Sequence, residues 1–543
     1  RTVGNLGITN GLSGIVTVNA DAGSANGAYA GDGISITGGL SGDITANGYY
    51  DGRGLYTVND LSIAGGLLGT VTAESEVQSV YGLRGDNVSI TDGLSGTVTA
   101  NGYSTAWGIA AYNNLSITGG LSGTVTAESG NTSAFGLYVS NDLGIAGGLS
   151  GTVSANGNGN AYGLLSFGNV NGGNAATPMT ITGNVLADGS VNIFGIYGYG
   201  INAKVDSGGT VSATGGSGTL AAIQSSGTND DQIELVAGCT IVGDIDLSGG
   251  GNDSLILSGT TGNTTFGGDV KNVETLNCTG GTWTLNGRVS NSAAVTVSGG
   301  RLTLTANNSY TGGTNVNGGT LSVGANNNLG NSSGALSFNG GTLEYSSGFT
   351  SSRNVTLNAG GGTFDTAGNS AELSGVISGV GPLTKVGVGT LTLSGSNSYT
   401  GGNNINGGTL SVGADNNLGN GSGALAFNGG TLEYSSGFAS ARGVTLGAGG
   451  GTFDTGGNNA ELSGAIGGAG SLTKTGTGTL TLSGTIGHAG GTTLSEGTLR
   501  VESDFSSTGL TFTSGELQVG GGTTTWGAGT PGAGQMLTLD GGT

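Results

Sequence analysis

The sequence contains few of the residues on which most enzymes and nucleic-acid-binding proteins depend. Its 543 residues include 3 prolines, 2 cysteines and 1 histidine, and only 8% are charged. Lys and Arg number 12 against 33 Asp and Glu, which gives a formal charge of -21, and the basic residues are scattered singly. A nucleic-acid site requires clustered positive charge, and an anionic membrane surface repels an acidic chain. We therefore expect neither nucleic acid nor a membrane as a partner.

Long apolar runs are also missing. Runs such as the one around Ile256, in SLILSG, fall far short of the roughly 20 residues that a membrane-spanning helix needs, so we expect no membrane insertion of this segment. The single histidine, His488, stands where the repeats have a packing tyrosine, so we expect no Ser-His-Asp triad. One histidine gives no histidine metal cluster, and two cysteines give no zinc site. Cys239 and Cys278 are either two buried thiols or a disulfide. The sequence thus predicts no catalytic, cofactor-binding or metal-binding residues and no cofactor.

Glycine is abundant, with 123 residues, and it occurs together with many Thr, Ser and Asn residues. The low proline and charge content and the 34% of apolar residues argue against disorder. Glycine does not recur at every third position, which excludes collagen. This composition predicts an all-β chain.

Internal repeats dominate the first part of the chain. A Gly-Leu motif recurs every 27 or 28 residues, at Leu12, Leu40, Leu67, Leu94, Leu121 and Leu149. Each repeat contains three short stretches of alternating apolar and polar residues separated by Gly, Asn and Asp, which predicts three strands and three corners. A leucine-rich repeat has a similar period but needs a second leucine spacing that these units lack. The pattern therefore predicts a parallel β-helix, with equivalent residues about 4.8 Å apart in successive coils.

Two columns of equivalent residues follow from this stacking. The first consists of short polar residues before a strand, where their side chains can form hydrogen bonds along the stack: Asn5, Asp60, Asn87, Asn114 and Asp142. The second is aromatic: Tyr81, Trp107, Phe135, Tyr162 and Phe194. Because Leu83 follows Tyr81 by two residues, alternation predicts that the aromatic column packs inside. The alternative is a solvent-facing platform on which sugars stack.

A longer repeat begins at Leu302. Residues 302–390 and 391–479 are identical at 69 of 89 positions, and a third, partial copy covers 480–543. We predict coils of about 27 residues over 1–200, irregular coils over 201–301, and coils built from 89-residue repeats over 302–543, with about four coils in each copy. Counting coils over the whole chain predicts one rod of roughly 23 coils, on the order of 110 Å long.

The longer repeat carries a resemblance to a known family. Ser396 to Gly419 read SNSYTGGNNINGGTLSVGADNNLG and Asn307 to Gly330 read NNSYTGGTNVNGGTLSVGANNNLG, and both resemble the passenger-associated transport repeat of autotransporter passenger domains, of the pertactin-like or adhesin-like kind. Residues 251–287 are similar to another segment of such passengers. The resemblance implies a right-handed parallel β-helix that reaches the bacterial cell surface through an outer-membrane barrel absent from this chain. Both ends lie within repeats, so we expect more coils or that barrel beyond Thr543, or end-to-end association.

Candidate chemistry is sparse. The largest acidic cluster comprises Asp230, Asp231, Asp244, Asp246 and Asp253, and without a nearby Lys or Arg it is typical of a solvated surface rather than a polysaccharide-cleaving site. SGGGND at Ser248 to Asp253 approaches a calcium-binding repeat but occurs once. His488 replaces Tyr310 and Tyr399 of the earlier copies and is predicted to pack as they do. Outward Thr-Val-Thr ladders are predicted at Thr70 and Thr72, Thr97 and Thr99, and Thr124 and Thr126.

Together these features predict an extracellular, non-enzymatic β-solenoid at the bacterial cell surface that acts as an adhesin, stalk or fibre segment. Its expected partners are cell-surface or extracellular polymers and further copies of itself. The alternative is a polysaccharide-degrading enzyme on the same scaffold, which would need two carboxylates converging in a groove. A lesser alternative is ice or crystalline-surface binding through the threonine ladders.

Overall fold

The computed structural model describes residues 2–174, 176–290, 293–522, 524–526 and 536–539. The chain forms two compact units, Arg1–Ala293 and Ala294–Thr543. Regular structure in the described residues consists of β-strands and two short 3-10 turns, Asn326–Leu329 and Asp415–Leu418. Strands pair in parallel with their counterparts one coil away. The predicted parallel β-helix is thereby confirmed, whereas the coil count, the single rod and the predicted domain boundaries stay predictions.

The first unit has three parallel sheets, each of which takes one strand from almost every coil. The strands of the first sheet are Leu6–Ile8, Ile34–Thr37, Leu61–Ala64, Val88–Ile90, Leu115–Ile117, Leu143–Ile145, Asn169–Asn171, Met179–Ile181, Gly200–Val205, Gln232–Val236, Ser254–Ser258 and Thr275–Cys278. Those of the second are Val16–Ala20, Ile44–Gly48, Thr70–Ser75, Thr97–Gly102, Thr124–Ser129, Thr152–Gly157, Asn184–Gly189, Thr210–Gly215 and Thr240–Val242. Those of the third are Ala25–Ala30, Gly52–Thr57, Val80–Gly85, Ala106–Ala111, Ala134–Val139, Ala161–Ser166, Ile193–Gly198, Leu220–Ser225, Asp244–Leu247 and Val270–Lys271. Asn263–Phe266 and Thr282–Leu285 pair with each other.

The 27-residue repeat corresponds to one full coil of the first unit. Leu94 bridges Leu67 in the preceding coil and Leu121 in the next, so the Gly-Leu motif forms one continuous column. The strands place Val, Ile, Leu and Ala in the interior, and Leu121 and Val125 are fully buried. Identical residues stack because each coil repeats the position of the one before it, which keeps the interior closely packed at every level.

The second unit is also built from parallel sheets. The strands of one sheet are Ala294–Val297, Thr314–Val316, Leu336–Phe338, Val355–Leu357 and Ile377–Gly379. Those of the next are Arg301–Leu304, Thr320–Val323, Thr342–Tyr345, Gly362–Asp365, Leu383–Val386, Asn403–Ile405, Leu425–Phe427, Val444–Leu446, Ile466–Gly468 and Ile486–His488. A further sheet contains Thr350–Ser351, Ser370–Leu373, Thr390–Leu393, Thr409–Val412, Thr431–Tyr434, Gly451–Asp454, Leu472–Thr475, Thr492–Leu494 and Leu510–Phe512. The remaining strands are Ala439–Ser440, Ala460–Leu462, Thr479–Leu482, Thr498–Val501, Glu516–Val519 and Met536–Leu539, and the pair Phe505–Ser507 and Thr524–Trp526.

The 89-residue repeat does not correspond to a whole number of coils. Thr320–Val323 pairs with Thr342–Tyr345 in one sheet. Its counterpart in the next copy, Thr409–Val412, pairs in the equivalent way with Thr431–Tyr434, but these strands belong to the neighbouring sheet. Each copy therefore covers whole coils plus one additional face, and equivalent residues of successive copies point in different directions.

Candidate functional site: an exposed aromatic face

The predicted aromatic column forms in the first unit, but its side chains point outward rather than inward. In Ala134–Val139, Ala134 and Leu137 are fully buried, whereas Phe135 and Tyr138 are only half-buried on the outer face. Tyr81, Trp107 and Tyr162 occupy the same half-buried position in their coils, whereas Phe194, in the same register, is 6% exposed. The prediction of interior packing was therefore wrong.

A glycine in the middle of each strand explains the reversal. Gly136 and Leu137 both face the interior, so the alternation of inward and outward residues shifts by one position at the glycine. A Cβ atom on Gly136 would lie 2.5 Å from Cγ1 of Val153 and 2.6 Å from the carbonyl oxygen of Gly163. Only glycine fits this close approach, and Gly82 and Gly108 stand in the same relation to Val98 and Val125. This recurring interior glycine is the sequence signal that would have corrected the prediction.

The rings of this column, which we call the inner aromatic column, stack on one another along the coils. Tyr81 and Trp107 have ring centroids 4.5 Å apart with planes within 2° of parallel. Trp107 and Phe135 follow at 5.8 Å and 10°, and Phe135 and Tyr162 at 5.2 Å and 9°. Burial among these neighbours raises the pKa of the Tyr81 and Tyr162 phenols, which keeps both neutral. Because each ring covers its neighbour's face, the inner column is not the predicted platform for sugar stacking.

An arginine packs among the rings of the first coils, and the rings continue beyond it through Tyr56 and Tyr29. The guanidinium carbon of Arg84 lies 4.4 Å from the ring centroid of Tyr56, 4.5 Å from that of Tyr112 and 5.8 Å from that of Tyr81. Such contacts are attractive because the ring faces carry partial negative charge. Sequence reasoning missed this cluster, since it treated Arg84 as a scattered charge and did not place Tyr112 beside it.

A second set of rings, the outer aromatic column, lies beside the first: Tyr112, Tyr138, Phe167, Tyr197 and Tyr199. These rings stand at steep angles to the inner column, with 82° between Phe135 and Tyr138 and 89° between Tyr162 and Tyr197. Tyr112 and Phe167 each expose 39% of their surface. The two columns border a shallow groove of about 460 Å³. Its rim is polar and includes Asn160, Asn192, Thr219 and Gln224.

The structure separates the five aspartates of the predicted acidic cluster. Asp231 and Asp253 are buried at one corner, where Asp253 Oδ1 accepts the backbone N–H of Asp231 at 2.8 Å. Burial raises the pKa of Asp253 to about 6 and also raises that of Asp231. Asp230 is exposed and its Oδ1 accepts the backbone N–H of Asn252. Asp253 therefore acts as a backbone cap at the end of the SGGGND stretch.

Asp244 and Asp246 lie on the outer side of the third sheet, as predicted, but they have partners. Lys271 forms an ion pair with Asp244, and the side-chain amide of Asn272 donates to Asp246. The prediction that no Lys or Arg lies near these carboxylates was thus wrong. The chain places the lysine one coil later, directly beside Asp246 in the parallel register.

The remaining candidates behave largely as packing residues. His488 is 3% exposed and its Nε2 lies 3.3 Å from Thr492 Oγ1, the arrangement that Tyr310 makes with Thr314 at 2.8 Å. Cys239 and Cys278 are buried thiols that form no disulfide, and burial raises their pKa values to about 12 and about 11.

The polar column before the strands forms as predicted. Asn87 donates to Asp60 at 2.9 Å and Asn114 donates to Asn87 at 3.3 Å. These side-chain hydrogen bonds join successive coils at one corner and satisfy polar groups at the tight turn.

The threonine ladders are also present. Thr97 pairs with Thr70 and Thr124, and Thr99 pairs with the second threonine of each of those coils. All of them face outward and are half-buried. Favourable placement of threonine on the outer side of a strand accounts for the ladders without a ligand.

Within the described ranges, no group of three or more His, Cys, Asp or Glu side chains is placed to hold a metal ion. Across the same part of the chain, no helix is long and apolar enough to cross a membrane.

Comparison with known proteins places these observations in a family context. Residues 298–323, 383–412 and 472–501 match the family model of the passenger-associated-transport-repeat. Over 146 residues, or 27% of its length, the chain is 47% identical to the adhesin BmaC autotransporter of Brucella suis biovar 1 (strain 1330). The matched stretch is 4% of that protein, so the chain spans a small part of this relative. The two matches confirm that the chain is similar to autotransporter passenger domains with passenger-associated transport repeats, and they confirm the cell-surface location predicted with that resemblance.

Proposed function

We propose that this chain is an adhesive, non-enzymatic segment of a surface-exposed passenger, and that it makes contact through the aromatic face of its first unit. The observation that carries this proposal is the exposure of that face. Soluble proteins rarely leave large apolar patches open to water, and patches with a polar rim are typical of interaction sites. Here two columns of rings lie side by side across several coils, with Phe167 and Tyr112 the most exposed.

The repeat geometry favours the first unit as the adhesive one. Its coils repeat every 27 or 28 residues, so equivalent side chains line up on one face and several weak contacts can act together. In the second unit each 89-residue copy shifts equivalent residues to a neighbouring face. That arrangement suits a stalk, in which closely packed repeats provide length rather than a continuous binding surface.

A polysaccharide-degrading enzyme is the less favoured alternative. Such an enzyme requires two carboxylates that converge on a substrate, one of them as a general acid. The outward carboxylates of Asp244 and Asp246 are each engaged by a neighbour, Lys271 or Asn272. Ice binding by the threonine ladders is less favoured still, because the ladders fade to Asp43 and Thr45 in one direction and to Ser154 in the other.

The proposal includes an outer-membrane translocator as the export partner and cell-surface or extracellular polymers as ligands. The passenger-associated repeats support the first, because they are the repeats of exported passengers. The adhesin relative supports the second. Self-association into fibres belongs to the same proposal.

Display of the chain on a non-adherent bacterium tests the proposal. We expect bacteria that display the chain to bind a monolayer of cultured epithelial cells at least tenfold more than bacteria with an empty display scaffold. The double variant Tyr112→Ser and Phe167→Ser should lose most of this binding, whereas Tyr103→Ser, which changes a 53% exposed tyrosine outside the aromatic face, should retain it. Binding equal to the empty scaffold, or full binding by the double variant, would contradict the proposal.

A further inference from the structure

We propose that the groove between the two aromatic columns binds a neutral, β-linked polysaccharide that runs along the coils. This inference rests on the proposed adhesive function and names its ligand class. The groove centre is bordered by Phe135 and Tyr162 of the inner column and by Tyr138 and Tyr197 of the outer column. Its composition, aromatic rings with an amide and hydroxyl rim, is the first argument for a carbohydrate.

Ring orientation provides the second argument. The inner rings stack face to face from one coil to the next, so their planes are roughly perpendicular to the axis along which the coils stack. The rings of Tyr138 and Tyr197 stand at 82° and 89° to those of their inner neighbours Phe135 and Tyr162, so their planes are roughly parallel to that stacking axis. An aromatic face that runs along a groove is the surface on which the C–H face of a sugar ring packs. The outer column thus provides the sugar platform that the inner column cannot.

Spacing along the groove fits a polymer rather than a single sugar. Tyr138 pairs with Leu165, and Leu165 pairs with Tyr197, so the two tyrosines lie two coils apart. At about 4.8 Å per coil this separation is roughly 9.6 Å. It is close to the length of one disaccharide unit in an extended β-linked chain, and Leu165 between the tyrosines is nearly fully buried.

The hydrogen-bonding groups at the rim are suited to hydroxyls. The side-chain oxygens of Asn160 and Asn192 accept backbone N–H groups of the next coil, at 3.1 and 3.3 Å, which holds the two amides in place and leaves their NH2 groups as donors. Gln224 Oε1 is buried and has no hydrogen-bond partner among the described residues. An unpaired buried acceptor is costly, and a ligand hydroxyl would satisfy it. The Tyr197 hydroxyl lies 2.7 Å from Ser226 Oγ, which fixes that ring before a ligand arrives.

Charge selects a neutral ligand. No described residue that lines the groove is charged. Arg84, an arginine of the aromatic face, lies between Tyr56 and Tyr112 and does not line the groove. The chain carries a formal charge of -21, which disfavours an acidic polysaccharide. An uncharged glycan needs no charged partner in the groove and is not repelled by the acidic chain.

Affinity electrophoresis of the intact chain tests the proposal. Native gels would contain hydroxyethylcellulose as a neutral β-linked polymer or alginate as an acidic polymer, each over a range of concentrations. We expect hydroxyethylcellulose to retard the wild-type chain and alginate to leave it unretarded. The double variant Tyr138→Ala and Tyr197→Ala should bind hydroxyethylcellulose at least tenfold more weakly. Circular dichroism of each variant verifies that the β-helix is retained.

Tyr103→Ala is the matched control, because it removes an exposed tyrosine outside the groove, and it should be retarded like the wild type. The proposal is overturned if the neutral polymer does not retard the wild type, if the double variant is retarded equally, or if alginate binds more tightly. It is also overturned if light scattering shows a dimer that the double variant abolishes while no polymer is bound, since the face would then serve self-association. If the displayed chain adheres to cells but no gel polymer retards it, the glycan ligand is rejected and the adhesive function stands. If the neutral polymer retards the chain but the displayed chain does not adhere, the adhesive function is rejected and glycan binding stands.

Discussion

At the scale of single residues, alignment of the 89-residue copies was a reliable guide to buried side chains. It placed His488 at the position of Tyr310 and Tyr399, and the structure gives all three the same hydrogen bond to the residue four positions later. Repeats make such a prediction possible because a packed neighbourhood recurs with its residues. Alignment could not predict how burial shifts the pKa of each ionisable group, since that shift depends on the contacts around its polar atoms.

Burial lowers the pKa of His488, which predicts a loss of stability in mild acid. As the pH falls through about 6.5, this side chain takes up its proton in the unfolded chain before it does so in the folded one, so its contribution to the free energy of unfolding decreases. The raised pKa of Asp253 acts in the opposite direction. We expect His488→Tyr to remove this dependence, because the tyrosine recreates the pair seen at Tyr310 and Thr314. Thermal unfolding at pH 7 and pH 5 should show a change in Tm on acidification that is less negative for the variant than for the wild type. Equal shifts would show that His488 does not titrate in this range.

Two lysines are fully buried in the second unit, an arrangement that no sequence pattern indicated. Lys385 Nζ donates to the carbonyl oxygens of Val386, Gly387 and Gly407, at 2.7, 2.8 and 3.2 Å. Lys474 repeats the arrangement in the next copy with the carbonyl oxygens of its own coil and the following one. The ammonium groups thus tie adjacent coils together through backbone acceptors.

Burial lowers the pKa of each lysine to about 8, and this predicts an unusual alkaline stabilisation. Between pH 8 and pH 10 the unfolded chain keeps the protons of these two lysines while the folded chain releases them, so their contribution to the free energy of unfolding rises with pH. The raised pKa values of the Cys239 and Cys278 thiols act in the opposite direction, so the comparison with a variant isolates the lysines. Replacement of both residues, Lys385→Met and Lys474→Met, should flatten this rise. Urea midpoints at pH 8, 9 and 10, compared between wild type and variant, measure the difference. A wild-type midpoint that falls across this range as steeply as the variant's would contradict the prediction.

At the scale of the strand, the sequence predicted the strands and their stacking but not which way the aromatic rings face. A period of two residues was assumed to run unbroken from Tyr81 to Leu83, and the glycine between them shifts it. A strand with an interior glycine buries two consecutive residues because the glycine needs no space for a side chain. The residues of the inner column were all identified from the sequence, but the one-residue shift at the glycine reversed the direction in which their side chains were predicted to point.

Substitution at one of these glycines tests the packing argument. Gly136→Ala places a Cβ atom 2.5 Å from Val153 Cγ1 and 2.6 Å from a backbone oxygen, so we expect a destabilisation of about 1–3 kcal/mol. Gly7→Ala is the control, because its Cβ would meet nothing within 4 Å, and its effect should stay within about 0.5 kcal/mol. Urea unfolding followed by circular dichroism measures both. If Gly136→Ala matched its control, the glycine would not be sterically required.

At the scale of the molecule, the two repeat lengths have different structural consequences. A 27-residue unit closes one coil, so the sequence period and the structural period agree, and the position of the Gly-Leu column followed directly from spacing. The 89-residue unit is out of step with the coil, so its repeats were recognised while their rotation by one face was not. Sequence identity reports which residues recur, and the length of a coil, which depends on its loops, determines where they point.

Coupling between coils is predicted to be local in both units. Leu121 is fully buried and bridges Leu94 and Leu149, so Leu121→Asp would bury an unpaired carboxylate and open the adjoining coils. Because each coil packs against its nearest neighbours, residues 302–479 should keep their structure. Hydrogen exchange with mass spectrometry on the intact chain should show lost protection around Leu94 to Leu149 alone. The control Ser116→Asp, on the exposed side of its strand, should leave the exchange unchanged. Loss of protection throughout both units would mean that the coils unfold as a single cooperative block.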